Sequence, residues 1–151
     1  VDDSHRLELV KNTFRTLFEL GCVPIVNEND SVSSEELQFG GTDTLSAYVA
    51  TVCESDLLIN LTDIDGLYDS NPNENEDAKL IPLVTEIDED LYKIAGGKGS
   101  MLGTGGMVTK LHAAEITMAA GIDTIVMNGE DPTDIYKALD GKQIGTFFKG
   151  K

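Results

Sequence analysis

The stretch Gly99-Ser-Met-Leu-Gly-Thr-Gly-Gly-Met-Val-Thr-Lys110 most limits what this chain can fold into. Glycines stand at 99, 103, 105 and 106, and the pattern then turns helical. Met107, Leu111, Ala114 and Met118 recur at helical spacing on one apolar face. Gly121 stands where a helix commonly stops, because glycine takes the left-handed position beyond the C-terminus without strain. Asp123-Thr-Ile-Val-Met127 follows at once as a strand. A glycine loop that feeds a helix, and a helix that feeds a strand, is a unit of α/β architecture.

Such a loop delivers unpaired backbone N–H groups and the positive end of a helix dipole to one point, an arrangement suited to an anion and typically to phosphate. Lys110 lies one turn inside the helix and can reach back over its start, and Thr104 and Thr109 add hydroxyls. The chain has a formal net charge of −16. Between Lys93 and His112, however, it carries Lys93, Lys98 and Lys110 and no Asp or Glu. This is the basic island that an acidic protein needs for a phosphorylated ligand. The motif Gly-x-x-x-x-Gly-Lys-[Ser/Thr] does not occur, and a glycine turn that only caps a helix would look the same in isolation.

Taken in order, residues 3–20 predict a helix capped by Asp3 or Ser4, with a stripe of Leu7, Val10, Phe14 and Leu17 and an end at Gly21. Val23-Pro-Ile-Val26 reads as a short buried strand. Asn27-Glu-Asn-Asp30 would then lie at its carboxyl end, where open α/β sheets bind ligands, although an Asx turn would read alike. A polar loop leads to Gly40-Gly41, and a second helix opens at Thr42-Asp-Thr44 with a stripe of Leu45, Tyr48 or Val49, and Val52. Asp43 or Thr44 is its expected N-cap. No Lys or Arg occurs between Thr16 and Ala78; acids gathered there are solvated surface or, near phosphates, companions for Mg²⁺.

Asp56-Leu-Leu-Ile-Asn-Leu61 is a second buried strand, ending in Thr62-Asp63, and Asp65-Gly66 is a hairpin-turn signal. Residues 70–77 form a polar surface loop, 80–86 a strand and 88–95 a short helix. After the glycine loop, its helix and the strand 123–127 come Asn128-Gly129, a helix over 131–139 with Pro132 at its first position, and a strand over 144–148. This alternation predicts a three-layer αβα sandwich with a mainly parallel sheet. Polar clusters at 27–30, 62–63 and 128–130 would mark three strand ends.

At 151 residues, 40% hydrophobic and 25% charged, the chain suits one globular domain, and no apolar run is long enough to span a membrane. It starts with Val and shows no signal peptide, so it reads as a piece of something longer. Cys22 and Cys53 sit among apolar residues without metal-ligand spacing and read as small buried thiols in a reducing compartment. Strong acidity argues against a nucleic-acid partner. His5 and His112 read as surface or packing residues, and no nucleophile triad can be assembled.

Val23-Pro-Ile-Val-Asn-Glu-Asn-Asp30, Phe39-Gly-Gly-Thr-Asp-Thr-Leu-Ser-Ala47, Leu61-Thr-Asp-Ile-Asp-Gly-Leu-Tyr68, Leu102-Gly-Thr-Gly-Gly-Met-Val-Thr-Lys110 and Ala120-Gly-Ile-Asp-Thr124 together resemble the glutamate 5-kinases of the amino acid kinase family. The Thr-Asp-x-x-Gly-Leu-Tyr element is shared with uridylate and acetylglutamate kinases, whereas the Asn-Glu-Asn-Asp and Gly-Thr-Gly-Gly-Met-x-Thr-Lys elements are more specific. The resemblance covers essentially all of the chain but only the C-terminal part of that kinase domain. It implies a fold incomplete at the N-terminus, with a glutamate loop at 27–43, a nucleotide-binding part at 56–151 and no PUA domain.

The resemblance further implies ATP-dependent phosphorylation of the γ-carboxylate of L-glutamate in the cytoplasm, at the start of proline synthesis, with ATP and Mg²⁺. By matched position, Thr62 and Asp63 would contact ATP, and Thr104, Gly105, Gly106, Met107, Val108, Thr109 and Lys110 would hold its phosphates. Asn27, Asp30 and Thr42 would serve glutamate. Lys110 and Asp43 would be catalytic, the first on the transferring phosphoryl group and the second orienting lysines. No residue is matched to a metal. Thr42 and Gly41 stand where many members have Asn and Asp. Homo-oligomers and feedback inhibition by proline are also implied. The competing readings are a uridylate- or carbamate-kinase type of the same family, and a non-catalytic module that binds an amino acid or a nucleotide.

Overall fold

The computed structural model describes residues 3–27, 41–72, 74–96 and 106–151. Five helices and four strands follow one another among them: α1 (Asp3–Glu19), α2 (Gly41–Val52), β1 (Leu57–Thr62), β2 (Leu83–Val84), α3 (Glu89–Ile94), α4 (Met107–Ala119), β3 (Asp123–Asn128), α5 (Asp134–Leu139) and β4 (Thr146–Phe148). The strands form one sheet in the order β1-β3-β4-β2. β1 and β3 pair in parallel from Leu57↔Asp123 to Thr62↔Asn128. β4 runs antiparallel to β3 and parallel to β2. The sheet is thus mainly parallel, as the alternation predicts.

Strand alternation sorts the core into two clusters. Val126 and Phe148 face Leu111, Ala114 and Met118 of α4 and Tyr92 of α3. Ile125 and Met127 face the other way, with Phe147, toward Ala138 of α5. A residue of period two on each strand therefore builds both sides, which gives helix, sheet and helix layers. α2 packs on α4, and its buried residues are Thr44, Leu45, Ala47 and Ala50. Tyr48, expected in that stripe, is exposed, while Val49 and Val52 are half-buried.

Several local expectations are corrected. Residues 22–27 form no strand, and Val23 and Ile25 are 88% and 95% exposed. Apolar composition makes a strand only where a ladder closes, and among the described residues no backbone bond joins this segment to β1, with whose Leu57, Leu58 and Ile59 its Pro24 and Val26 only share a cleft. Cys22 is exposed for the same reason, and Cys53 is half-buried rather than buried. The α1 stripe exists, but Leu7 and Val10 are exposed and only Phe14 and Leu17 are half-covered. The side chains of Asp3 and Ser4, its expected caps, lie outside the described residues. His5 and His112 are exposed, as expected.

Asp65-Gly66 is not the tip of a tight hairpin. Leu67 and Asp69 pair instead with Ile81 and Lys79 through backbone bonds of 2.8 and 2.9 Å, so the reversal lies within 70–78. Gly66 has φ +153°, and a Cβ there would come within 2.8 Å of the Thr146 hydroxyl. It serves close approach, not a two-residue turn. The expected strand 80–86 shrinks to β2 and an isolated bridge from Tyr68 to Leu80. α5 starts at Asp134, because the Asp131 carboxylate accepts from the Thr133 N–H and hydroxyl and holds 131–133 as a turn; Pro132 lies before the helix. α3 is capped as expected of an Asp, with the Asp88 carboxylate accepting from Leu91 N at 2.8 Å.

Candidate functional site

In parallel α/β units a helix that leads back into a strand begins at the strands' carboxyl end. α2 leads into β1 and α4 into β3, so both helix starts gather beside Thr62 and Asn128. There the first turns of α2 and α4 are joined by side chains. Lys110 Nζ donates to Asp43 Oδ2 at 3.0 Å and to Oδ1 at 3.2 Å. Asn60 Nδ2, from the last turn of β1's ladder, donates to Asp43 Oδ1 at 2.9 Å. The Thr109 hydroxyl lies 2.6 Å from Asp43 Oδ2 and 2.7 Å from Gly106 O. Its one proton is best given to the charged acceptor.

Asp43 therefore takes no N-cap role: α2 begins at Gly41, two residues before it, and its carboxylate is drawn to a lysine from another helix. Thr44, the other expected cap, is 3% exposed, and its hydroxyl has no partner among the described residues. Burial pushes the Asp43 carboxyl up, but the Thr109 hydroxyl, the Asn60 amide and the Lys110 ammonium together outweigh it and hold the group below the usual carboxylate range. The group is thus a fixed negative charge at neutral pH. Lys110 has three donors and Asp43 accepts from it at two oxygens, which leaves donor capacity for another anion.

α4 opens at Gly106, which has extended backbone and no side chain to cap the helix. Thr109 N is bonded back to Gly106 O at 3.1 Å. Met107 and Val108 turn their side chains to the core, so what they offer at the helix start is backbone N–H. Amides that no side chain of the N-cap residue satisfies, a helix dipole and a lysine form an arrangement able to hold a multiply charged anion.

Thr62 and Asp63 lie at the end of β1, and the Thr62 hydroxyl donates to the Asp63 carboxylate at 3.1 Å. Register puts Asn128 beside Thr62, so two of the three polar clusters named from the sequence are neighbours. Thr146, fully buried on β4, reaches into the same segment: its hydroxyl accepts from Leu67 N at 2.9 Å and donates to Ile81 O at 2.7 Å. Thr42 stands exposed in the first turn of α2, one residue before Asp43, and Asn27 is exposed at the end of the extended segment. Asp30, Thr104 and Gly105 lie outside the described residues. Asn60 is the residue that sequence reasoning missed, and its signal was an amide inside an otherwise apolar strand. Among the described residues no three His, Cys, Asp or Glu side chains are grouped to hold a metal ion. Nor is any described helix long and apolar enough to cross a membrane.

The family model described as the amino acid kinase family matches residues 2–128. Glutamate 5-kinase from Clostridium perfringens is 52% identical over 146 residues, which is 94% of this chain and 54% of that protein. Glutamate 5-kinase from Streptococcus uberis is 51% identical over 143 residues, covering 92% and 53%. The chain spans about half the length of these curated relatives. Among solved structures, uridylate kinase from Archaeoglobus fulgidus superposes with a TM-score of 0.53 at 27% identity, covering 71% of this chain and 46% of that one. UMP kinase from Ureaplasma parvum gives 0.59 at 19% identity over 92% and 52%, a likeness of fold alone. This chain belongs to the amino acid kinase family.

Proposed function

We propose that, in the complete protein, this chain supplies part of the active site of an ATP-dependent kinase that phosphorylates the γ-carboxylate of L-glutamate to glutamyl 5-phosphate. The observation that carries the reading is the Asp43–Lys110 pair, which holds a lysine at the uncapped start of α4. The identity of about one half to glutamate 5-kinases supports glutamate as the substrate. The chain then divides into a glutamate loop at 27–43 and a nucleotide-binding part at 56–151. Thr62 and Asp63 contact ATP, and residues 104–110 hold its phosphates. Asn27, Asp30 and Thr42 meet glutamate, and Asp43 fixes the ammonium of Lys110.

Phosphoryl transfer to a carboxylate needs no base and no covalent nucleophile, because the acceptor is already an anion. What it needs is positioning and neutralisation of charge on the transferring group. Lys110 and the first N–H groups of α4 are fixed before the reaction, so they stabilise the developing charge without reorganising. Mg²⁺ would arrive with the nucleotide and neutralise its phosphates, since it is ordinarily held by phosphate oxygens and one or two carboxylates. The resemblance to glutamate 5-kinases also supports homo-oligomers, inhibition by proline, a place in proline synthesis and a cytoplasmic setting.

The runner-up is a kinase of the uridylate type, which the structural likeness favours; its identity to this chain is about half that of the glutamate 5-kinases. The test is ADP release by the full-length protein with ATP and Mg²⁺, offered glutamate, UMP or carbamate in turn. Glutamate alone should drive turnover. Turnover with UMP or carbamate and none with glutamate would select the other reading, and none with any of the three a binding module.

A further inference from the structure

Thr62 and Asp63 sit at the head of a segment of bends, 63–66, that is tied to the neighbouring strand end. Gly129 N donates to Thr62 O at 2.8 Å. Asn128 Nδ2 donates to Asp65 Oδ1 at 3.1 Å, while Asn128 Oδ1 accepts from Glu130 N at 2.8 Å. Both ends of that amide are therefore engaged, and the network fixes which way it points. The other Asp65 oxygen accepts from the Tyr68 hydroxyl at 3.1 Å. The two strand ends also touch closely: a Cβ at Gly129 would lie 3.0 Å from Leu61 Cβ.

We propose that Asn128 is a positioning residue for the nucleotide contact, setting Thr62 and Asp63 by tying Asp65 to the end of β3. This rests on the reading of Thr62 and Asp63 as ATP contacts. The chemistry at Asn128 is specific. A neutral N–H donor must face the Asp65 carboxylate, and an acceptor must face Glu130 N. A carboxylate of the same shape keeps the second bond and sets like charge against Asp65, which pushes the two loops apart. The bonds of this arrangement run among residues 62–68 and 128–130, in the part read as nucleotide-binding, so the effect is expected on the nucleotide rather than on the carboxylate substrate.

The test uses the full-length protein. Asn128→Asp should raise KM for ATP roughly tenfold, the scale of one lost hydrogen bond to a charged group. KM for glutamate should stay within about twofold. Adding Asp65→Asn to that variant exchanges donor and acceptor, restores the bond and should bring KM for ATP back toward the parent. Asp65→Ala, which leaves β3 untouched, should raise KM for ATP as Asn128→Asp does, and it decides the matter should Asn128→Asp misfold. An unchanged KM for ATP, equal rises in both KM values, or no recovery in the double variant would overturn the proposal. Asp63→Ala separates the two levels of the argument. A raised KM for ATP there, with none in Asn128→Asp, sinks the role of Asn128 alone; no effect in either sinks the nucleotide reading and this inference with it.

Discussion

Lys110 and Asp43 lie 67 residues apart in the chain and 3.0 Å apart in space, with only 9% and 13% of their side chains exposed. The pair joins the first turns of α2 and α4, so it is a structural tie as well as an electrostatic one. Removing one member leaves the other charge buried without its partner. Asp43→Ala should therefore cost about 3–5 kcal/mol of stability, the usual consequence of breaking a buried pair. Denaturant unfolding of the variant and its parent measures this. A loss below about 1 kcal/mol would mean that solvent already screens the pair.

Lys110→Ala, assayed as folded protein, tests the chemistry. If Lys110 neutralises charge that develops on the transferring group, kcat should fall by roughly 10²–10³ while KM for glutamate changes little. A steady-state comparison with the parent decides it. An unchanged kcat would remove Lys110 from the mechanism.

The depressed titration of Asp43 gives stability a defined pH dependence. A carboxyl held below its ordinary value in the folded chain is deprotonated there before it is in the unfolded chain. Its contribution is thus fully present above the unfolded value of about 3.9 and disappears as pH falls through the lower folded value. The stability difference between the parent and Asp43→Asn should be constant above about pH 5 and shrink below about pH 4. Urea unfolding across that range measures it; a difference that stayed level into strong acid would show that Asp43 is not the titrating group.

Thr146 tests the frame beneath the bends. Its fully buried hydroxyl serves Leu67 N and Ile81 O at once. Thr146→Val keeps the shape and orphans both groups, at a cost of about 1–3 kcal/mol. Thr146→Ser keeps the hydroxyl and should lose less. Equal losses in the two variants, by chemical denaturation, would show that methyl packing and not the hydroxyl matters.

The parts legible in the sequence were those where local and long-range preferences agree. α4 and β3 combine a clean period, a glycine stop at Gly121 with φ +79°, and full burial of Leu111, Ala114 and Val126. Segment 23–26 was misread because burial is a property of the neighbours, and apolar letters alone do not supply a ladder partner. Asp65-Gly66 was misread because a turn signal makes a hairpin only when the next strand returns at once, and here the return waits for Lys79. Asp43 shows the deepest limit. A local rule assigns a carboxylate near a helix start to capping; the lysine-orienting role came only from the resemblance, and the meeting of α2 with α4 is what brings the carboxylate to Lys110. Asn60 escaped notice for the same reason, since its partner lies 17 residues away on another element.

The proposed acceptor of the phosphoryl group is the γ-carboxylate of glutamate. Hydroxylamine trapping tests it directly, because an acyl phosphate is captured as a hydroxamate. The full-length protein, given ATP, Mg²⁺, glutamate and hydroxylamine, should form γ-glutamyl hydroxamate in step with ADP, and Lys110→Ala should slow both together. ADP release without hydroxamate, or phosphorylation of UMP with none of glutamate, would contradict the account.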